Sequence, residues 1–159
     1  ALNASSTSLT VATTIGGAGT NLNIEKLIET KKLMDANNVP SEGRCMVIHA
    51  NNLAGLLGET EIQSVDFNTV KALVSGDVDT FMGFKFVTLG DRDEGGLPLP
   101  STRTCFAFHR DAMGMGIGMN QRSEINYVAE KTSFLVSSMF SAGAIAIDDE
   151  GIVKISCTE

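Results

Sequence analysis

Cysteine, basic charge and long apolar runs are all scarce in this chain. The three cysteines, Cys45, Cys105 and Cys157, stand far apart and include no C-x-x-C pair. An odd, sparse set of this kind excludes a disulfide framework and predicts reduced thiols in a cytoplasmic product. Lysine and arginine number 12 against 19 acidic residues, a formal net charge of −7. That excludes a nucleic-acid binder acting through a basic surface, because phosphate neutralisation needs clustered cations. No apolar run approaches the length that spans a bilayer, and no signal-peptide core is present. Internal repeats and heptads are missing too, which excludes solenoids and coiled coils. No charged side chain precedes Glu25 and the first residue is Ala1 rather than Met, so the chain reads as processed or truncated, with residues expected upstream.

What remains is enough for a packed core. The 159 residues fit one domain or two linked lobes, and 43% hydrophobic against 19% charged residues argues against global disorder. The segment "SLTVATTI" reads as a strand and "GGAGT" as a joint. In "NLNIEKLIETKKLMDANNVP", Ile24, Leu27, Ile28 and Met34 fall near one face of a 3.6-residue period. Asn23 can cap the start and Asn37, Asn38 and Pro40 stop the run, which predicts a helix over residues 23–37. A buried strand ("GRCMVIHA") follows, then a short helix ("NNLAGLLG") with Gly58 suited to a left-handed position after its end. Residues 59–69 read as polar loop, 69–76 as a second short helix, and "GFKFVTLG" as a strand. Residues 91–103 combine charge, glycine and proline, and predict an exposed loop outside the core. The rest is strand-like, with "DDEG" as a turn before a last strand, "IVKISC".

The run "RDAMGMGIGMN" poses the sharpest chemical question. Gly114, Gly116 and Gly118 suggest a phosphate-cradling loop, but a dinucleotide fingerprint needs G-x-G-x-x-G opening into a helix. The third glycine comes one position early, Met119 stands where it should fall, and "NQRSEINYV" is a better strand than helix. Read with period two, the glycines share one face and Met113, Met115, Ile117 and Met119 the other. This predicts a strand whose Met/Ile face is buried and whose glycine face meets other backbone. His49 and His109 each end a strand and have no acidic partner at ligand spacing, so they read as core-edge histidines. Cys45 and His49 lie four apart, about 13 Å at strand rise, too far for a nucleophile–base pair. Cys45 and Cys105 sit in apolar runs and read as inert thiols. The acidic clusters at 91–94 and 148–150 lack the ligand spacing of a calcium loop and read as solvated turns. No catalytic, cofactor-binding or metal-ligating residue is assigned.

The order of segments does carry a resemblance. Helix "KLIETKKLMDANNVP", then "EGR" and a strand, then a short helix ending "LLG", then "TEIQSVDFNTVKALVSGDVDTFMGFKF", is similar to the axial-domain half of tailed-bacteriophage major capsid proteins of the Hong Kong 97 fold. The end, "CFAFHRDAMGMGIGM" through "EINY" to "SSMFSAGAIAIDDEGIVKISC", resembles that family's final strands. The likeness covers nearly all of residues 22–159. It implies an α+β fold, with a central mixed sheet flanked by helices and long peripheral strands. Residues 1–21 would be an entry strand or linker from an upstream half, 22–122 the axial lobe and 123–159 the peripheral strands. The implied function is a structural, non-enzymatic subunit of a phage or prophage head, made in the bacterial cytoplasm and resident in the virion. Its partners would be other copies of itself, with a possible scaffold or maturation protease. No cofactor, membrane or sequence-specific nucleic acid is implied. With the upstream half missing, this stretch alone is expected to show weak or absent self-association, with residues 59–69 as the candidate ring-facing segment. The rival reading is a small α/β enzyme using the Gly114, Gly116 and Gly118 loop for a nucleotide, or a Cys/His site for group transfer.

Overall fold

The structure is a computed structural model that describes residues 2, 6–17, 19–59, 80–90, 96–97, 99 and 102–158. The expected helix over 69–76, and most of the loops expected at 59–69 and 91–103, lie outside the described residues.

The first helix, α1 (Ile24–Ala36), begins where Asn23 accepts a hydrogen bond from the Lys26 backbone N–H. This is a side-chain N-cap, satisfying one of the orphan donors of the first turn. It ends at Asn37, before the chain turns through Asn38 at a φ of 54°. Leu27 and Met34 are fully buried as expected, but Ile28 is half exposed and the buried stripe is completed by Lys26 and Thr30.

Strand β2 (Arg44–His49) follows, then helix α2 (Ala50–Leu57). Gly58 closes α2 in a right-handed conformation at φ −75°, ψ −13°, not the left-handed one expected. Its N–H reaches back to Ala54 and Gly55 carbonyls, so the helical turn simply continues there. Gly55 is where close approach matters, because a Cβ would lie 2.6 Å from the Asn21 side chain.

A six-stranded mixed sheet forms the body, in the order β1 (Thr10–Val11), β8 (Ile152–Cys157), β5 (Arg103–His109), β2, β4 (Phe84–Leu89), β3 (Thr80–Phe81). β1 runs parallel to β8 and β4 parallel to β2, while β5 runs antiparallel to both β2 and β8. Only Thr10 and Val11 of the expected first strand pair, because the chain turns immediately at Ala12–Ile15. Both helices cover the sheet face that carries Cys105 and Cys157. Met46, Ile48, Phe84, Ala107, Val153 and Ile155 pack there with Leu27, Met34 and Leu56. Leu97 is buried in the same core and its carbonyl accepts from buried Arg103, so the expected surface loop at 91–103 is anchored at both of these residues.

The second sheet is a two-stranded antiparallel ribbon, β6 (Met113–Val128) and β7 (Ser133–Ala146). "MGMGIGM" is a strand, as expected. The boundary expected between 122 and 123 falls inside β6, and residues 152–157 return to the six-stranded sheet. Physically, the chain leaves the body after β5, makes a 16-residue and a 14-residue excursion, and comes back through β8.

Candidate functional site

The residues weighed for chemistry do not converge. β2 places His49 at one end and pairs its other end, Arg44, with His109. Five residues at strand rise hold the two histidines about 17 Å apart. His49 caps α2 by accepting from the Asn51 N–H. Cys105 is fully buried, donates to Asn52 Oδ1 at 3.3 Å, and is pushed well above the usual thiol range by its hydrogen bond with Cys157 and by burial. A thiol so placed is not a nucleophile at neutral pH. No group of three His, Cys, Asp or Glu side chains able to hold a metal ion occurs among the described residues.

Sequence reasoning passed over Lys26. It is fully buried, and its Nζ donates to the carbonyls of Thr20 (2.6 Å), Asn21 (3.0 Å) and Ser156 (3.1 Å). Three donors meet three acceptors, so α1, the 20–21 turn and β8 are tied at one point. Burial pushes this ammonium below the usual lysine range. The signal in the sequence was spacing, since Lys26, Thr30 and Met34 lie four apart on one stripe.

The base of the ribbon is firmly hydrogen-bonded. A 3-10 turn, Arg110–Ala112, leads from β5 into β6. Ala112 O accepts from the N–H groups of both Ile147 (2.9 Å) and Asp148 (3.3 Å), closing β7 against the start of β6. Gly151 O accepts from His109 N and Gly43 O from Arg110 N. The His109 ring accepts from Asp111 N at Nδ1, which assigns the proton to Nε2, and Nε2 donates to Glu42 O at 2.7 Å. A cleft of about 210 Å³ beside it is lined by Asn37, Asn38, His109, Asp111 and Asp148.

Beyond its base the ribbon lies bare. Cross-strand pairs place Met115, Ile117, Ile125, Tyr127, Phe134 and Val136 on one face, and strand alternation adds Phe140. All are more than half exposed, with Met115 and Phe134 at 71%. Tyr127 and Phe134 stack across the strands with centroids 5.3 Å apart. The expectation of a buried Met/Ile face is therefore overturned, because no described segment lies over the ribbon. The glycine face is likewise open at its centre: Gly116 pairs with Gly143, and a Cβ on either meets nothing within 4 Å. At Gly114 a Cβ would meet Ile147, and at Gly118 Ser141. β6 continues to Val128 without a helix, so the glycines frame no phosphate site.

A contiguous exposed apolar face of this length is typical of a surface that another segment or partner covers. The family model for phage capsid protein matches residues 1–159.

The chain belongs to the phage capsid protein family.

No curated protein matches this capsid chain. Among solved structures it is similar to that of Mycobacterium phage Che8, with a TM-score of 0.66 at 16% identity over 86% of this chain and 53% of that one. It is similar to the capsid of cyanophage P-SCSP1u, with a TM-score of 0.65 at 18% identity over 98% and 54%. It is also similar to the SrpI encapsulin of Synechococcus elongatus PCC 7942, with a TM-score of 0.61 at 13% identity over 99% and 56%. At these identities the likeness shows the fold, which is the Hong Kong 97 fold, in the α+β form expected. The capsid chain spans about half the length of these structures.

Proposed function

We propose that this chain is the sheet-body and ribbon part of a phage head subunit, which acts by self-association into capsomers and an icosahedral shell, and so resides in the virion. The capsid family match over residues 1–159 carries the reading. The apolar ribbon supports it, because a subunit that works through interfaces must leave large apolar surfaces to be covered on assembly. The six-stranded body corresponds to the axial lobe, and the ribbon of β6 and β7 to the peripheral strands. No turnover belongs to this function, and the scattered histidines and thiols suit that. A scaffold or maturation protease acting on the subunit belongs to the same reading.

Electron microscopy of the complete protein that carries this chain, expressed with its genomic neighbours, tests it. Closed shells or capsomer rings are expected. Dispersed single subunits across all conditions would overturn it.

A further inference from the structure

One imidazole sits where the ribbon leaves the body. His109 ends β5, and the 3-10 turn Arg110–Ala112 carries the chain from there into β6. The ring is buried and both of its nitrogens are engaged. Nδ1 accepts from the Asp111 N–H at 3.3 Å, capping the turn, and Nε2 donates to the Glu42 carbonyl at 2.7 Å. Only the neutral ring can make this pair of contacts, because the protonated ring has a donor at both positions. A proton on Nδ1 would face the Asp111 N–H, donor against donor. A carboxylate stands close enough to take it, since Asp111 Oδ2 lies 3.9 Å from Nδ1. Asp111 borders the cleft of about 210 Å³, which gives its side chain room to move. The charges around the ring come from every element at the root. Asp111 and Arg110 belong to the turn and are themselves paired at 3.4 Å. Asp148 borders the same cleft. Glu42 precedes β2, and Arg44 stands opposite His109 in the ladder, with its charge matched by Asp35 of α1. Four carboxylates against two guanidiniums leave these surroundings net negative, so an imidazolium has counter-charges at hand.

We propose that His109 is a pH-sensitive latch at the root of the ribbon. Neutral, it closes the Arg110–Ala112 turn; protonated, it releases the Asp111 N–H and takes the Asp111 carboxylate in its place. The proton comes from solvent and stays on Nδ1, so only hydrogen bonds are exchanged. The turn is the two-state element that the charge biases. Its last carbonyl, Ala112 O, holds Ile147 N and Asp148 N, so a change at Asp111 reaches both strands of the ribbon. β7 alone extends about 46 Å at strand rise over its 14 residues, so a small rotation at the turn becomes a large displacement at the tip. The latch is closed above the range in which histidine titrates and opens as pH falls through it. His49 caps α2 through the same kind of Nδ1 contact, to Asn51 N, but it lies at the other end of β2 and no ribbon departs from α2. The proposal does not depend on the head-subunit reading.

Hydrogen exchange of the complete protein that carries this chain, read by mass spectrometry between about pH 7.5 and about pH 5.5, tests the latch across the histidine range. Rates are expressed as protection factors, which removes the pH dependence of the exchange chemistry itself. Peptides covering residues 110–113 and 147–149 should lose at least about fivefold in protection at the lower pH, while β2 and β8 stay within about twofold. His109→Asn keeps an acceptor for the Asp111 N–H and removes the titrating group, so it should hold the root's protection within about twofold over the same interval. Asp111→Asn removes the carboxylate that receives the proton and should move the midpoint of the loss to lower pH by at least about half a unit. The Asp111 side chain is largely exposed, so this variant keeps the fold even where a change at buried His109 does not. Root protection that is the same at both ends of the interval overturns the proposal. So does a loss that spreads equally through β2 and β8, or one that persists in His109→Asn, which would place the switch on another group. A midpoint that Asp111→Asn leaves unmoved overturns it as well.

Discussion

Lys26 shows how much a single side chain can organise here. Its ammonium satisfies three main-chain carbonyls that belong to two segments far apart in sequence, the 20–21 turn and β8. Lys26→Met keeps the length and the apolar stem but leaves three buried acceptors short of a donor. Chemical denaturation should show a loss of about 2 kcal/mol, the net worth of hydrogen bonding to a buried charged group. Arg44 plays a related part at the other end of α1. It is almost wholly buried and donates to Asp35 Oδ1 and to the carbonyls of Val39 and Pro40. Its hydrogen bond holds the Asp35 carboxyl below the usual aspartate value of 3.8. The stabilisation is present above that value and is lost as pH falls through the lower, folded-state value. Asp35→Asn should therefore flatten the acid limb of the stability–pH curve below 3.8, as followed by acid titration of the circular dichroism signal.

Glycines make the same point about context. Gly151 sits in the turn at the ribbon base, where a Cβ would lie 2.6 Å from Ala112 Cβ. Gly151→Ala should cost about 1–3 kcal/mol through overpacking. Gly116, in the most conspicuous glycine run of the sequence, has open space on its side of the ribbon. Gly116→Val should melt within about 0.5 kcal/mol of the parent. Thermal unfolding of the two variants side by side checks both expectations, and a reversed order would mean that the ribbon face is covered in the isolated chain.

At the scale of elements, the contrast is between a sheet that shares its load and a ribbon that does not. Each central strand of the body pairs on both sides and packs under α1 or α2. The ribbon has one ladder and no covering layer among the described residues. A lone two-stranded ribbon is marginal in water, and local opening free energies follow pairing and burial. Amide hydrogen exchange of the chain at low concentration should thus be faster across 115–140 than across β2, β5 and β8. Equal protection of ribbon and body at every concentration would contradict the packing described.

Taken whole, the molecule is a body from which one long excursion departs and returns, and the hydrogen bonds of His109, Arg110, Ala112 and Gly151 lock its root. A rigid root matters for a subunit that must meet neighbours at defined angles, because a contact held far from the core loses specificity if its lever swings. His49 and His109 cap the turns that follow them, and Cys105 is buried in the core.

Most elements were legible in the sequence because their signals are local. Asn23 as a cap, the periodic Leu27 and Met34, the alternating "GFKFVTLG" and the strand character of "MGMGIGM" all depend on neighbours a few residues away. The capsid resemblance was legible as well, because the order of such elements is itself written along the chain. Three things were decided only by the tertiary structure. Lys26 reads as a solvated charge until β8 and the 20–21 turn bring their carbonyls to it. Leu97, set in a segment that reads as surface loop, is buried because Arg103 and the core hold it. The Met/Ile face of β6 reads as core, since alternation shows only that one face is apolar. Which apolar faces are covered depends on what other chain segments lie across them, and in the ribbon no described segment does.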